Sequence, residues 1–228
     1  ALNRLNQLSK NQKPFFLAVG FVKPHLPFNA PKKYWDLYDH SKIQLPGNPN
    51  QPTNAPPKAK HAFGELRKFD GIPKNPLPVS DSMARKLIHG YYACVSYIDA
   101  QIGILLEGLD NLNLSENTIV FILGDHGWSL GEHGLWAKHS PFDLATRTPL
   151  IVRTPEHLSE TYKSGRAHGL VEFIDIFPTI MELVDLAELD QLDGKSFVEQ
   201  LKDPLSDGKE VVFPRWLSLI HISEPTRH

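Results

Sequence analysis

Asp125 and His126 follow directly on an apolar run, residues 118–124, that is rich in β-branched and aromatic side chains. The run predicts a buried strand that ends at Gly124. Because open α/β sheets bind ligands beyond the carboxyl ends of their strands, the carboxylate and the imidazole are expected at such an edge. Carboxylate oxygen and imidazole nitrogen are both ligands of divalent cations. This placement favours a metal site over the usual role of an isolated Asp-His-Gly, which is to cap a turn.

Lys138 and His25 are the candidates for catalysis. Lys138 ends a loop, 131–138, whose glycines and tryptophan predict a tight turn, so its ammonium is suited to face sulfate or phosphate oxygens. His25 follows a second apolar run, 15–22, which predicts another strand. In a parallel sheet His25 reaches the same edge as Asp125, where an imidazole can protonate a leaving alkoxide. A solvated lysine and a loop histidine bonded to the backbone are the structural alternatives.

The loop around Lys138 holds further aromatic and imidazole side chains. Trp128 and Trp136 predict either a sugar-stacking wall or simple packing. His133 and His139 are more typical of structural histidines, and Glu132 is expected to brace the loop together with His133. Trp128 and His133 are kept as candidates for substrate contact.

Cys94 is the only cysteine, which excludes an intrachain disulfide and a zinc site built on cysteines. It lies on the apolar face of a helix predicted over 82–111, with Ser80 or Asp81 as the cap. A small buried hydrophobe is therefore the interpretation of Cys94.

Helix, short loop and buried strand succeed one another before Asp125, which predicts an α/β fold with a mostly parallel central sheet flanked by helices. The other predicted elements are a strand at 149–153, a weaker strand at 170–174 and a helix at 177–187 capped by Asp175. Residues 46–78 are dense in Pro, Asn, Gly and Lys and predict a long surface excursion that can form a rim of the site.

Composition narrows the possible partners. The 228 residues are 41% hydrophobic and 22% charged, which is typical of a globular protein. A net charge of −2 gives no basic surface, so no nucleic acid partner is expected, and no apolar stretch is long enough for a membrane span. The chain opens within a helical pattern and is interpreted as an internal fragment. Residues 217–227 resemble a translated sequencing adapter, so 217–228 is interpreted as a non-native tail.

Three long segments carry a resemblance to a known family: FLAVGFVKPHLPF at 16–28, YACVSYID at 92–99 and GDHGWSLGEHGLWAK at 124–138. Residues 142–151 and 171–179 extend it. Together they resemble the type I sulfatases of the alkaline phosphatase superfamily, and within that family most of all the iduronate-2-sulfatases and their bacterial relatives. The resemblance implies that 1–216 is a partial sulfatase catalytic domain with an alkaline phosphatase-like fold.

The resemblance also implies roles for single residues. Asp125 and His126 fall on two ligands of the active-site Ca²⁺, and His25 and Lys138 fall on positions that contact the sulfate ester and its bridging oxygen. The family's nucleophile is a formylglycine made from the cysteine or serine of a Cys-x-Pro-x-Arg type of signature. Cys94 is followed by neither that proline nor that arginine, so the nucleophile is expected upstream of this chain.

The activity implied by the resemblance is hydrolysis of sulfate esters on a sulfated carbohydrate, such as a sulfated uronate or a glycosaminoglycan unit. A formylglycine-generating enzyme is the expected partner of the full-length parent, in the periplasm, the lysosome or outside the cell, and the fragment alone is expected to be inactive. Two alternatives remain open. One is a phosphodiesterase or phosphonate hydrolase of the same superfamily, and the other is a non-catalytic carbohydrate-binding relative.

Overall fold

The computed structural model describes residues 1–11, 13–59, 64–74, 78–187 and 189–213. They form two compact units, the first made of Ala1–Leu114 with Gly124–Pro149 and the second of Ser115–Leu123 with 150–213. The tail predicted at 217–228 lies outside the described residues, so its non-native origin stays a prediction.

The secondary structure is a mixture of helices and short strands. The α-helices are α1 (Leu2–Ser9), α2 (Lys32–Trp35), α3 (Asp81–Asn111), α4 (Asp143–Thr146), α5 (Pro155–Leu158), α6 (Ile176–Leu183) and α7 (Val198–Lys202). The strands are β1 (Val120–Leu123), β2 (Ser129–Leu130), β3 (Trp136–Ala137) and β4 (Leu150–Arg153). Short 3-10 helices occur at His40–Lys42, Pro57–Ala59, Leu66–Lys68, Ser115–Asn117, Glu132–Gly134 and Phe173–Asp175.

Helix α3 organises the first unit and confirms the predicted helix. The Ser80 hydroxyl accepts a hydrogen bond from the Met83 amide at 3.3 Å, which makes Ser80 the N-cap. Cys94 is fully buried and unpaired, as predicted, and burial raises the pKa of its thiol. The core around α3 contains Leu26, Phe28, Ile43, Leu66, Ile72, Ala84, Ile88, Cys94 and Trp136.

Strands β1 and β4 pair in the second unit, with Val120 opposite Arg153 and Leu123 opposite Leu150. The pairing is antiparallel, as is that of β2 with β3, whereas the sequence predicted a mostly parallel sheet. A parallel neighbour requires a crossover that returns the chain to the starting edge. Here β4 begins beside the end of β1, where the Gly124 amide donates to the Pro149 carbonyl at 3.1 Å, so the two strands run in opposite directions. The α/β fold class holds, while the predicted direction of these pairs is wrong.

Two predicted strands are absent from the described structure. Residues 15–22 have no regular secondary structure, and Phe16 and Val22 are 81% and 76% exposed. An apolar run becomes a strand only when a neighbouring strand supplies hydrogen bonds, which local sequence does not reveal. At 170–174 only Leu170 forms an isolated bridge, to Lys209.

Asp175 is the last residue before α6. Its carboxylate accepts a hydrogen bond from the Glu172 amide at 2.8 Å, and this contact closes a 3-10 turn. Asp175 is buried and also accepts from the Lys195 amide and the Lys209 ammonium. It therefore ties three segments of the second unit together instead of serving as the simple helix cap that we expected. Helix α6 ends at Leu183, before the predicted 187, and Asp185 has a positive φ of 54°.

Candidate active site

His25 is held by the loop that follows residues 15–22. Its Nδ1 lies 2.9 Å from the Leu26 carbonyl, and the Leu26 side chain is buried in the core. Since a carbonyl only accepts hydrogen bonds, Nδ1 is the protonated nitrogen of a neutral His25. The lone pair of Nε2 is consequently directed away from the backbone and is available to a donor or a proton.

Lys138 supplies that donor. Its Nζ lies 2.9 Å from His25 Nε2, and its side chain is only 16% exposed. The two residues predicted to be catalytic are thus in direct contact, and Lys138 is not the solvated lysine of the alternative interpretation. The ammonium also lies 5.5 Å from the centre of the Trp128 ring, a distance typical of a cation–π contact.

Glu65 joins this pair and was not predicted. Its Oε1 lies 3.2 Å from Lys138 Nζ and 3.8 Å from His25 Nε2, while Oε2 lies 3.7 Å from His139 Nε2. Glu65 belongs to the 46–78 segment, which was expected to form a rim of the site. No pattern in that segment distinguished Glu65 from other surface carboxylates, so the only sequence signal was the unusual length of the segment.

Glu65 is ionised in this setting. Burial raises the pKa of its carboxyl, but the Lys138 hydrogen bond, with the charges of Lys138, His139 and His25, outweighs burial and lowers the pKa below its ordinary value. The cluster is therefore an ammonium and two imidazoles around one carboxylate. We call these four side chains, His25, Glu65, Lys138 and His139, the acid–lysine cluster.

Asp125 and His126 form the second part of the site. His126 Nδ1 lies 2.8 Å from the Gly127 carbonyl, so Nδ1 carries the proton of the neutral ring. His126 Nε2 lies 3.5 Å from Asp125 Oδ2. Two acceptor atoms facing each other fit a shared cation, and a ligating histidine that donates its other N–H to a carbonyl is the usual arrangement in metal sites.

Asp125 and His126 form a pair of candidate ligands and not a complete set. No group of three or more His, Cys, Asp or Glu side chains suited to a metal occurs within the described ranges. The Asp125 side chain is 88% exposed, so it is accessible to a cation and to further ligands. The pair fits the predicted role as part of a metal cage, and that role stays a prediction.

Gly127 lets the turn after His126 pack against the following helix. Its amide donates to the Ala145 carbonyl at 2.9 Å, and a Cβ at this position would overlap the carbonyl oxygens of Leu144 and Arg147. Thr148 Oγ1 donates to the His126 carbonyl at 3.2 Å from the other side. The backbone of the metal-ligand turn is therefore held on both sides.

Replacing Gly127 by alanine should displace this turn. We expect Gly127→Ala to lower the free energy of unfolding by about 1–3 kcal/mol, because the overlap is with backbone atoms that cannot rotate away. Chemical unfolding of the full-length protein measures the change. Gly103→Ala is the matched control, since no atom lies within 4 Å of a Cβ there, and in a helix it should stabilise by about 0.5–1 kcal/mol. Equal stability of Gly127→Ala and wild type would contradict the packing argument.

The other predicted side chains fall into distinct environments. Trp136 is buried in the core and is a packing residue. Trp128 packs against the core with its ring centre 5.6 Å from that of His25 and 6.0 Å from that of His126. Glu132 braces the loop, as expected, by accepting from the Leu130 amide at 2.7 Å. His133 stacks on Phe142 with ring centres 4.6 Å apart. Substrate contact by Trp128 and His133 stays a prediction.

A family model described as Sulfatase matches residues 1–186. The chain belongs to the sulfatase family, and the resemblance found in the sequence is confirmed. Sulfatases generally use a formylglycine and a divalent metal. Within the described residues no helix has the length and apolar character needed to cross a membrane.

Individual relatives agree with this assignment. The chain is 37% identical over 214 residues to iduronate 2-sulfatase of Mus musculus, covering 82% of this chain and 38% of that protein. It is 34% identical over 199 residues to a sulfatase of Formosa agariphila, covering 87% of this chain and 38% of that protein. Among solved structures, a phosphonate monoester hydrolase from Silicibacter pomeroyi matches with a TM-score of 0.70 and 25% identity, covering 92% of this chain and 41% of that one.

Proposed function

We propose that the protein to which this chain belongs hydrolyses sulfate esters of carbohydrates, such as a sulfated uronate or glycosaminoglycan unit. The observation that carries the proposal is the contact between Lys138 Nζ and His25 Nε2 at 2.9 Å, within a chain of the sulfatase family. The mouse relative is an iduronate 2-sulfatase, which supports a sulfated uronate as the substrate class.

Lys138 has a donor left for the ester. An ammonium has three N–H groups, and here one faces His25 and one faces Glu65. Within the described residues these contacts leave the third for an ester oxygen. A positive charge directed at a sulfate oxygen favours attack on an anionic group that otherwise repels nucleophiles.

His25 and Lys138 together hold the proton for the leaving alcohol. Hydrolysis breaks the bond between sulfur and the alcohol oxygen, and that oxygen then requires a proton. The proton between Lys138 Nζ and His25 Nε2 is positioned for this step, because both nitrogens can carry it. Trp128 lies against one side of the pair, with its ring centre 5.6 Å from that of His25 and 5.5 Å from Lys138 Nζ.

Asp125 and His126 would hold the metal, which we propose to be Ca²⁺ because a carboxylate is a hard oxygen ligand. When bound, a divalent cation withdraws negative charge from the ester oxygens. The proposed nucleophile is a formylglycine outside the described residues, made by a formylglycine-generating enzyme. Residues 223–227 read Ser-Glu-Pro-Thr-Arg and match the spacing of the signature, but they fall in the adapter-like tail, and we do not assign the nucleophile to them.

The test is a comparison of esters that share one leaving group. The full-length protein, carrying formylglycine, is assayed with the sulfate, phosphate diester and phosphonate ester of one chromogenic phenol. We expect the highest kcat/KM for the sulfate. A preference for the phosphonate or the diester would favour the alternative, a phosphodiesterase or phosphonate hydrolase. The similarity to the phosphonate monoester hydrolase of Silicibacter pomeroyi supports testing it. Binding of a sulfated sugar with no turnover would favour the carbohydrate-binding alternative.

A further inference from the structure

We propose that Glu65 determines specificity by charge: its fixed carboxylate favours a sulfate monoester, which carries one negative charge, over a phosphate monoester, which carries two. The inference rests on the proposed function and deepens it. It concerns a residue in the 46–78 segment that contacts both groups assigned to the ester.

Glu65 lies where its charge acts on the ester. Its Oε1 is 3.2 Å from the Lys138 ammonium and 3.8 Å from His25 Nε2, the two atoms that we assign to the ester and its leaving oxygen. An ester bound to the remaining Lys138 donor is therefore a close neighbour of this carboxylate. Unit charges a few ångströms apart interact strongly even in a partly solvated site.

The backbone around Glu65 holds the carboxylate in place. Leu66, the next residue, is 1% exposed and belongs to the core of the first unit. The Arg67 guanidinium is buried and donates to the Pro73 carbonyl, and Lys74 Nζ donates to the Arg67 carbonyl at 3.0 Å. These contacts anchor the backbone at Glu65, so its side chain starts from a fixed position within reach of Lys138. Within the site, its ion pairs with Lys138, His25 and His139 orient the carboxylate.

The fixed charge changes the balance between the two esters. Glu65 offsets part of the charge of Lys138, so the pair attracts a second anionic oxygen less strongly than the ammonium alone would. A phosphate monoester is mostly doubly charged at pH 8, because its second pKa is about 6. Glu65 therefore repels the doubly charged phosphate monoester more strongly than the singly charged sulfate monoester. Removing the carboxylate should therefore raise kcat/KM for the phosphate ester relative to that for the sulfate ester.

The experiment compares kcat/KM for the sulfate and the phosphate monoester of one phenol at pH 8, using the full-length protein. In Glu65→Gln we expect the phosphate-to-sulfate ratio to rise on the order of tenfold or more. Glu65→Asp keeps the charge and should keep the wild-type ratio. Asp36→Asn is the matched control, since it also removes one carboxylate but from an exposed pair with Lys32, and it should leave the ratio unchanged.

The outcomes separate the two proposals. If the wild type turns over the sulfate ester and Glu65→Gln has the wild-type phosphate-to-sulfate ratio, the inference about Glu65 is wrong and the proposed function is not affected. An equal loss of kcat/KM on both esters also leaves the ratio unchanged, and it would mean that Glu65 only braces the site. Wild type without sulfate turnover would overturn the proposed function and this inference with it. Thermal melting checks that each variant folds, and Glu65→Ala provides a second neutral variant that must shift the ratio in the same direction.

Discussion

Lys138→Ala should reduce kcat/KM for sulfate esters by about 10²–10³-fold in the full-length protein, while the protein still folds. The variant loses the positive charge directed at the ester and the proton that Lys138 shares with His25 at 2.9 Å. Losses of this size are typical when one preorganised donor is removed from a transition state. Steady-state kinetics with a chromogenic sulfate ester measures the effect, and thermal melting reports the fold.

Two comparisons make the Lys138 result decisive. Lys202→Ala removes a lysine that pairs with Glu199 on the surface of helix α7, and it should leave kcat/KM unchanged. Lys138→Ala should also raise the pKa of Glu65, because it removes the hydrogen bond and the charge that lower that pKa most. Wild-type turnover in Lys138→Ala would show that the ammonium has no part in the reaction.

Asp125→Asn should weaken metal binding and turnover together, each by about 10–100-fold. The substitution preserves size and one carbonyl oxygen but removes the charge that faces His126 Nε2 at 3.5 Å. Calorimetric titration of the chelator-treated protein with Ca²⁺ measures affinity, and recovery of turnover on adding Ca²⁺ measures function. The Asp125 side chain is largely exposed, so stability without metal should stay within about 0.5 kcal/mol of wild type.

Asp143→Asn is the control for the metal prediction. Asp143 is a nearby exposed carboxylate that pairs with Arg147 at 3.8 Å, so the substitution removes the same charge outside the proposed cage. It should leave both the Ca²⁺ affinity and the Ca²⁺ dependence of turnover as in wild type. A Ca²⁺ requirement in Asp125→Asn that equals that of wild type would remove Asp125 from the ligand set.

The two proposed catalytic residues were predictable because each stands in a recognisable local pattern. His25 follows an apolar run with two prolines in its exit loop, and Lys138 ends a glycine-rich turn. Neither pattern requires knowledge of the rest of the chain. The structure brings the two side chains together, although residues 15–22 form no strand and the argument from parallel strands had placed His25 at the edge of Asp125 instead.

Glu65 and the strand directions depend on distant partners, and for that reason local sequence did not reveal them. Glu65 becomes recognisable as a site residue only by its ion pairs with Lys138, His25 and His139, which lie far from it in the sequence. Similarly, β1 pairs antiparallel with β4 because the chain between them closes on itself at Gly124. Periodicity identifies an element but not its neighbour.

Trp128 makes the two parts of the site interdependent. The Trp128 ring centre lies 6.0 Å from that of His126 and 5.6 Å from that of His25. Lys138 Nζ lies 5.5 Å from the same ring centre. Groups that share a packing partner rarely respond independently to substitution. A substitution near His126 is therefore expected to affect the His25–Lys138 pair through this ring, and the reverse is expected for a substitution near the pair.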